Sequence, residues 1–500
     1  LAEKLAAYKA SLSKEEVEKL IADTEVLKAY QEAEETKEAL ESIPLLKLSD
    51  VDPDPKPLKN ELREIMGVPV LFHAIPTSGI GYLEARFPLS GLTLEEMHLA
   101  ALLRDLYTQV DTEAHSYQEL GDEISFETGG IGAGTNVYLK TETYEAVPDF
   151  SITARYLYDH TEGTVKLIRE VFGQSKFEDM DRVKEILDGL VSNGQEGLVS
   201  SGHTTAVKAL FAKEKKGAWL ENELNGLGCF RYYSALKTQF AERKETLAAA
   251  LKQVAEKIFA REKMVLSFTG DEAGYALLKE ALPAWLSTMK EIAAPTVDVP
   301  FVPEKENVGI KTSSMVQYTA MGGNFRDFGF DYTGAFRVFT ILMHYEYLWM
   351  NIRVKGGAYG CMTRVTRSGN FAMVSYRDPH LKNTLEVFRG VADYLDSLDL
   401  SDRDMLKYIL GTIGEEDMPQ TPATEGANAL SAWLSGLTDE DFAKTRHEIL
   451  NCKVEDLRAL APVLRKVLAE NRYLTVGSEG KIDENRDIFD AVETLQGERK

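Results

Sequence analysis

YLWMNIRVKGGAYGCMTR, from Tyr347 to Arg364, changes character twice: a helical apolar pattern runs into paired glycines and leaves as a strand. Upstream, AFRVFTILMHYEYLWMNI from Ala335 to Ile352 is apolar on nearly every face, the pattern of a helix enclosed by protein. Arg353, Lys355, Gly356, Gly357, Ala358, Tyr359 and Gly360 follow. Glycines can take positive φ or admit a foreign backbone at close range. Arg353 and Tyr359 therefore flank a place where backbone or ligand passes, and Gly356 and Gly357 are the candidate substrate-binding positions. Spacing alone also fits a helix C-cap glycine followed by an ordinary strand.

The segment RVKGGAYG, with its arginine and tyrosine six positions apart, resembles the arginine-tyrosine element in the last domain of the insulinase-type (inverted zincin, M16) metallopeptidases. It is most similar to the presequence-protease branch, which includes falcilysin-like enzymes. The resemblance implies that Arg353 and Tyr359 reach into an active site from a C-terminal half, while zinc is held by an HxxEH motif in the N-terminal half. No HxxEH occurs in this sequence, so zinc is expected in the full-length enzyme and none in this chain. The implied partners are the N-terminal half of the same polypeptide and peptide substrates. The similarity follows the order of elements along nearly the whole chain, but RVKGGAYG alone is specific enough to name a family.

At 500 residues the chain is too long for one ordinary core, and two domains plus an appendage are expected. Apolar residues at 44%, charged residues at 27% and a mean hydropathy of -0.24 are those of a globular protein. A formal charge of -23 opposes nucleic-acid binding, because phosphates would be repelled, and would draw in a cationic peptide. Acidity of this size also serves solubility alone. Cys229, Cys361 and Cys452 are odd in number and far apart, which suits a reducing compartment and neither a disulfide framework nor a zinc site. No charge-free apolar run is long enough for a membrane span; Arg337, His344 and Glu346 interrupt the nearest candidate. The first residues lack the order of a signal peptide and an initiating Met. A cytoplasmic location, or an organelle matrix in a eukaryote, and a start inside a longer polypeptide are the resulting expectations.

Residues 1–50 read as a helical hinge segment: Ser13 and Glu16 form a capping-box signature ahead of a run rich in Ala, Leu, Glu and Lys. Pro44, Pro53, Pro55 and Pro57 then require an extended passage. A first α+β domain is expected over 51–295. Its GYLEARFPL alternates as a strand, LEEMHLAALLRDL carries a helical apolar stripe, and long helices are expected over Asp179–Ala218 and Asn225–Ile258. A proline-bearing crossing from Ala293 to Lys311 leads to a second α+β domain over 296–500, with a hairpin turning at Ser368–Asn370. The two domains repeat. GYLEARFPL answers QYTAMGGNF at an offset of 236, GGIGAG answers GGAYG near 227, and TVKLIREVF answers TLEVFRGVA near 220. The expected fold is α+β: two homologous domains, each an antiparallel sheet covered by helices, behind a helical hinge.

Other chemistries lack their markers. No two of the eight histidines stand four apart, and His344 reads as a core histidine. GGIGAG at Gly129–Gly134 precedes a strand rather than opening a helix, which speaks against a dinucleotide site. Neither a phosphate-binding P-loop nor a G-x-S-x-G elbow is present. Arg353 and Tyr359 remain. In metal-assisted peptide hydrolysis the oxyanion needs donors placed where charge develops, and a guanidinium and a phenol both donate without deprotonating. By the resemblance, Tyr359 would donate to the intermediate and Arg353 would position the substrate carbonyl or the phenol. Read without it, Arg353 is a cation at a helix C-terminus and Tyr359 a packed strand residue. Relatives of this fold also serve as structural or substrate-presenting subunits, as in mitochondrial processing peptidase and respiratory-complex core proteins. The intact RVKGGAYG favours the enzyme over that alternative.

Overall fold

The structure, a computed structural model, describes residues 2–33, 36–44 and 46–499. Two units divide the chain at Val51. In the first, helices span Ala2–Ser11, Lys14–Glu32 and Lys37–Ser42, and the capping box forms as its sequence requires: Glu16 N–H donates to Ser13 Oγ at 3.2 Å and Ser13 N–H to Glu16 Oε2 at 2.8 Å.

The second unit holds two six-stranded sheets. The first contains β1 (Glu61–Ile65), β2 (Val68–Ala74), β3 (Ile80–Pro88), β4 (Gly130–Leu139), β5 (Ala146–Leu157) and β6 (Val265–Gly270), in the order β1-β2-β6-β3-β5-β4. The second contains β7 (Val308–Thr312), β8 (Tyr318–Asn324), β9 (Gly360–Val365), β10 (Asn370–Tyr376), β11 (Tyr473–Ser478) and β12 (Ala491–Thr494), in the order β12-β7-β11-β8-β10-β9. The duplication is thus one of topology. β3, β5 and β4 form an antiparallel run matched by β8, β10 and β9, and β6 returns beside β2 as β11 returns beside β7. Those returning pairs are parallel, as is β7 with β12, so the sheets are antiparallel only for the most part.

On β3, Gly81, Leu83, Ala85 and Phe87 are buried while Tyr82, Glu84 and Arg86 are half-buried. The buried row meets the helix Leu94–Leu106, which starts on a Thr93–Glu96 capping box. The expected long helices are shorter pieces: Met180–Ser200, Gly202–Glu214, Lys216–Asn225, Leu227–Thr238 and Phe240–Ile258, interrupted at Ser201, Lys215, Gly226 and Gln239. Each break redirects the chain over a different surface. The expected enclosed helix to Ile352 is also revised. It runs from Ala335 to Tyr345 and stops where Glu346 adopts φ -109, ψ -103. Phe336, Val338, Phe339, Ile341, Leu342 and Met343 are buried, but His344 and Tyr345 are exposed, so His344 is a surface residue and not a core one.

The halves exchange helices across the sheets. Gly202–Glu214, from the first half of the sequence, lies on β8, β10 and β11, where Ala206, Ala209 and Leu210 share a core with Tyr318, Ala320, Val374 and Val476. Pro422–Ser435, from the second half, lies on β2, β4 and β6 and buries Leu430 and Leu434 against Leu71. Both approaches are close enough to require glycine. A Cβ on Gly202 would stand 2.2 Å from the Tyr318 ring, and one on Gly426 would stand 1.9 Å from Thr269 Oγ1. Among the described residues no helix is long and apolar enough to cross a membrane.

Gly426→Val is therefore expected to destabilise the chain by about 1–3 kcal/mol through overpacking. Gly414→Ala, whose added carbon meets nothing within 4 Å inside the helix Asp402–Glu416, should stabilise by up to about 1 kcal/mol. Denaturant titration of the two variants measures both, and equal midpoints would remove the close-approach argument.

Candidate active site

RVKGGAYG forms a widened turn. After the break at Glu346 the chain coils again, and Trp349–Val354 is a π-helical turn in which Lys355 N–H reaches back to Met350 O at 3.0 Å. The wide turn closes with Gly357 N–H on Arg353 O at 2.9 Å and Ala358 N–H on Ile352 O at 3.1 Å. That closure explains both glycines locally. Gly357 sits at φ +75, and a Cβ on Gly356 would be 2.5 Å from Ile352 O. Turns of this kind recur at functional sites because the extra residue re-aims the side chains around it.

Arg353 is one of the side chains re-aimed. Its guanidinium lies 4.3 Å from the Trp349 ring centroid and 5.4 Å from that of Tyr359, and Nη1 donates to Tyr359 O at 2.8 Å. One donor of the fork is therefore spent on the backbone of the tyrosine, not on its phenol. Tyr359 is 65% exposed. Its N–H donates to Tyr376 O at 3.1 Å, and its ring meets that of Tyr376 at 5.7 Å and 67°. Beyond Tyr376 come His203, edge-on at 4.8 Å, and Tyr318 at 5.6 Å. On the other side His344 stacks on Trp349 at 6.4 Å. Arg353 and Tyr359 thus occupy the middle of a line of rings and one cation. Trp349 precedes Arg353 by four residues, a spacing that the sequence does display, whereas Tyr318 and His203 form no spacing with RVKGGAYG that a sequence motif could show.

The groups buried behind the turn are hydrogen-bonded or unreactive. Asp378, 1% exposed, accepts from Thr384 Oγ1 at 2.6 Å and His380 N–H at 2.8 Å. Burial raises its pKa against the effect of those donors. Burial, with the Asp378 carboxylate nearby, pushes the Cys361 thiol up to about 12, which leaves it without a nucleophilic thiolate at neutral pH. Burial likewise pushes Cys229 up to about 11.

The other histidines are engaged elsewhere: His73 between Lys59 O and Ser267 Oγ, His98 on Glu223, His115 on Glu170, His160 on Glu127 and His447 on Asp54. Among the described residues no three His, Cys, Asp or Glu side chains converge as a metal-binding group. The donor set of the turn, a guanidinium and a phenol, suits an anion and does not fit a divalent cation. Gly130–Leu139 is a strand and the glycine run opens it, which accounts for GGIGAG without a dinucleotide.

The duplicated sheets define the class: this is the fold of M16 peptidase domains. It is shared with a peptidase M16 inactive domain from Pseudomonas fluorescens at a TM-score of 0.58 and 17% identity, over 84% of this chain and 98% of that one. Residues 1–236 match the family described as associated with subfamily C of the M16 peptidases, and residues 305–478 match the PreP C-terminal domain. The chain belongs to the M16 peptidases, as the C-terminal half of a presequence-protease-like member. It is 32% identical to Protein HypA of Clostridium perfringens over 99% of this chain and 51% of that protein. It is 27% identical to Presequence protease 1, chloroplastic/mitochondrial, of Arabidopsis thaliana over 98% of this chain and 46% of that protein. The chain spans about half the length of the relatives it matches.

Burial and the neighbouring Arg364 cation lower the His203 pKa below its ordinary 6.5. The folded ring binds its proton less readily than the unfolded one, so its contribution to stability is present above pH 6.5 and lost as pH falls through the lower folded value. His203→Phe should lack that component, giving a shallower loss of stability on acidification than the unmodified chain. Denaturation midpoints between neutral and mildly acidic pH test this, and parallel curves would contradict it.

Proposed function

We propose that this chain is the C-terminal half of a zinc-dependent metalloendopeptidase that degrades peptides and short unfolded segments inside a closed chamber. Its part is to supply chamber wall and the donors Arg353 and Tyr359. The N-terminal half of the same polypeptide is the proposed partner and would carry the zinc, which in this family supplies the activated water. The observation that carries the reading is the exposure of Tyr359 beside Arg353, on a turn whose local geometry is otherwise fully determined.

Within this chain the steps are those of donors. The Tyr359 hydroxyl, on a ring held at its inner edge by Tyr376, is free to donate to the oxygen that becomes negative when the scissile carbonyl is attacked. Arg353 clamps the Tyr359 carbonyl with one nitrogen, and the other donors of its fork would be available to the substrate carbonyl. Gly356 and Gly357 are the proposed substrate-binding positions: Gly356 lets the turn close, and Gly357, whose missing side chain would meet only Pro379 at 3.9 Å, leaves room for an extended peptide to pass at backbone distance. Chamber size, not a recognition sequence, would select substrates, and the acidic chain would favour cationic ones. No role for nucleic acid or membrane is proposed, and the location would be cytoplasm or an organelle matrix.

A structural or substrate-presenting subunit is the second reading. It draws on the likeness to a domain described as inactive, which at 17% identity speaks for the fold alone. Such a subunit has no need to keep both donors at the surface.

In the assembled protein with both halves, Tyr359→Phe should lower kcat about 10²- to 10³-fold, the usual cost of one oxyanion donor, with KM little changed. Arg353→Ala should lower both kcat and substrate affinity. This chain purified alone should not cleave a fluorogenic peptide. Unchanged turnover in both variants, or metal-dependent cleavage by the lone chain, would overturn the assignment.

A further inference from the structure

Tyr359 is braced from outside its own half. Tyr376 touches it edge-to-face, and Tyr376 is met in turn by His203 at 4.8 Å and 85°. His203 is the second residue of the helix Gly202–Glu214, which the first half of the sequence lends to the second sheet. The place of that imidazole is set by Gly202, whose missing Cβ lets the helix start press on Tyr318. Tyr318 is itself 5.6 Å from Tyr376, so the two tyrosine rings and the imidazole form one packed corner.

The choice of histidine there is costly. Its Nδ1 is buried and has no hydrogen-bond partner, which carries a desolvation penalty without return. A leucine could fill similar volume with no orphaned nitrogen. What leucine cannot provide is a flat ring to set against the Tyr376 ring, and the geometry of aromatic pairs is directional where aliphatic packing is not.

We propose that His203 is a positioning residue for Tyr359, acting through Tyr376. The two edge-to-face contacts restrict an exposed tyrosine, which would otherwise sample several staggered rotamers, to the one in which its ring stands beside the Arg353 guanidinium. This rests on the reading of Tyr359 as an oxyanion donor. It adds that the first α+β half helps to organise a site whose donors both belong to the second.

The test uses the assembled protein with both halves. His203→Ala should lower kcat roughly 3- to 10-fold, the scale of one aromatic contact, at unchanged KM. His203→Phe, which keeps a ring, should recover most of the loss. In the Tyr359→Phe background His203→Ala should have no further effect, because the residue acts only through that hydroxyl. Should His203→Ala fail to fold, Tyr376→Leu against Tyr376→Phe replaces it with the same expectations. Unchanged kcat, a full additional loss in the Tyr359→Phe background, or equal losses for Ala and Phe with a lowered thermal midpoint would each overturn the proposal. If Tyr359→Phe alone leaves turnover unchanged, the donor reading fails. The positioning claim is then decided by 19F spectra of the protein carrying 3-fluorotyrosine at position 359: His203→Ala should narrow and shift that resonance, and an unaltered signal refutes it.

Discussion

Each sheet leaves one face that its own half does not fully cover, and the exchange of helices closes both. This reciprocal cover is the constraint on which the second unit depends. The two closures are chemically unequal. Under Gly202–Glu214 the second sheet is apolar, with Tyr318, Ala320, Val374, Leu474 and Val476 sharing one core with the helix. Under Pro422–Ser435 the first sheet offers a small apolar contact at Leu71, Leu430 and Leu434. Beside it lies a polar row, in which Arg86 bonds Asp149 Oδ1 at 2.8 Å and lies 2.7 Å from Glu84. Burial raises the pKa of both carboxylates while Arg86 opposes the rise, the balance expected of buried ion pairs. Hydrophobic burial therefore anchors the helix that carries His203 more firmly than the helix that carries Gly426.

The same constraint shapes the Arg353 turn. Because the second sheet is sealed by a borrowed helix, its edge strand β9 and the turn feeding it are left at the margin of that cover, where Tyr376 is half-buried and Tyr359 is open. An ordinary α-helical turn would have ended with a different register of side chains. The π-turn inserts one residue, and the guanidinium that results can touch the Trp349 ring, the Tyr359 ring and the Tyr359 carbonyl together. Position and exposure of Arg353 and Tyr359 thus follow from backbone geometry more than from any contact they make with each other.

Much of this was legible in the letters. Alternation in GYLEARFPL, the capping pair Ser13–Glu16, the order of the repeat and the RVKGGAYG element all rest on local rules or on a compact motif. What escaped was non-local. The parallel return of β6 and β11 is decided by which strand lies nearest in space, and the short edge strand β12 has too little pattern to stand out. The break at Lys215 falls among good helix formers, since the turning point is set by the surface the next helix must cover, whereas the break at Ser201 sits in a Ser-Ser-Gly run whose weak helix propensity is visible in the letters. The π-turn shifts periodicity by one residue, below what an apolar pattern resolves. His344 lies in a segment apolar enough to suggest burial, yet it falls in the last turn of its helix and is exposed there. His203 and Tyr376 join the site from far along the chain, with no motif to announce them.

Comparison of the halves shows what lets one of two matching joints present a phenol. Gly130 pairs with Arg155 as Gly360 pairs with Tyr376, so Gly129 occupies the place of Tyr359. The backbone agrees: Gly129 N–H donates to Arg155 O at 2.7 Å, as Tyr359 N–H donates to Tyr376 O at 3.1 Å. In both halves an arginine clamps the carbonyl of this residue, Arg155 through Nε in the first and Arg353 through Nη1 in the second. The difference is the direction of approach. Arg155 reaches across from the neighbouring strand, and a Cβ on Gly129 would stand 2.9 Å from its Cγ, so a side chain there would have to displace Arg155. Arg353 comes instead from the preceding turn, which leaves the strand neighbour free to become Tyr376 and the clamped residue free to carry a ring. With the cation on the turn and not on the neighbouring strand, position 359 has room for a tyrosine, and the π-turn is what places the cation there.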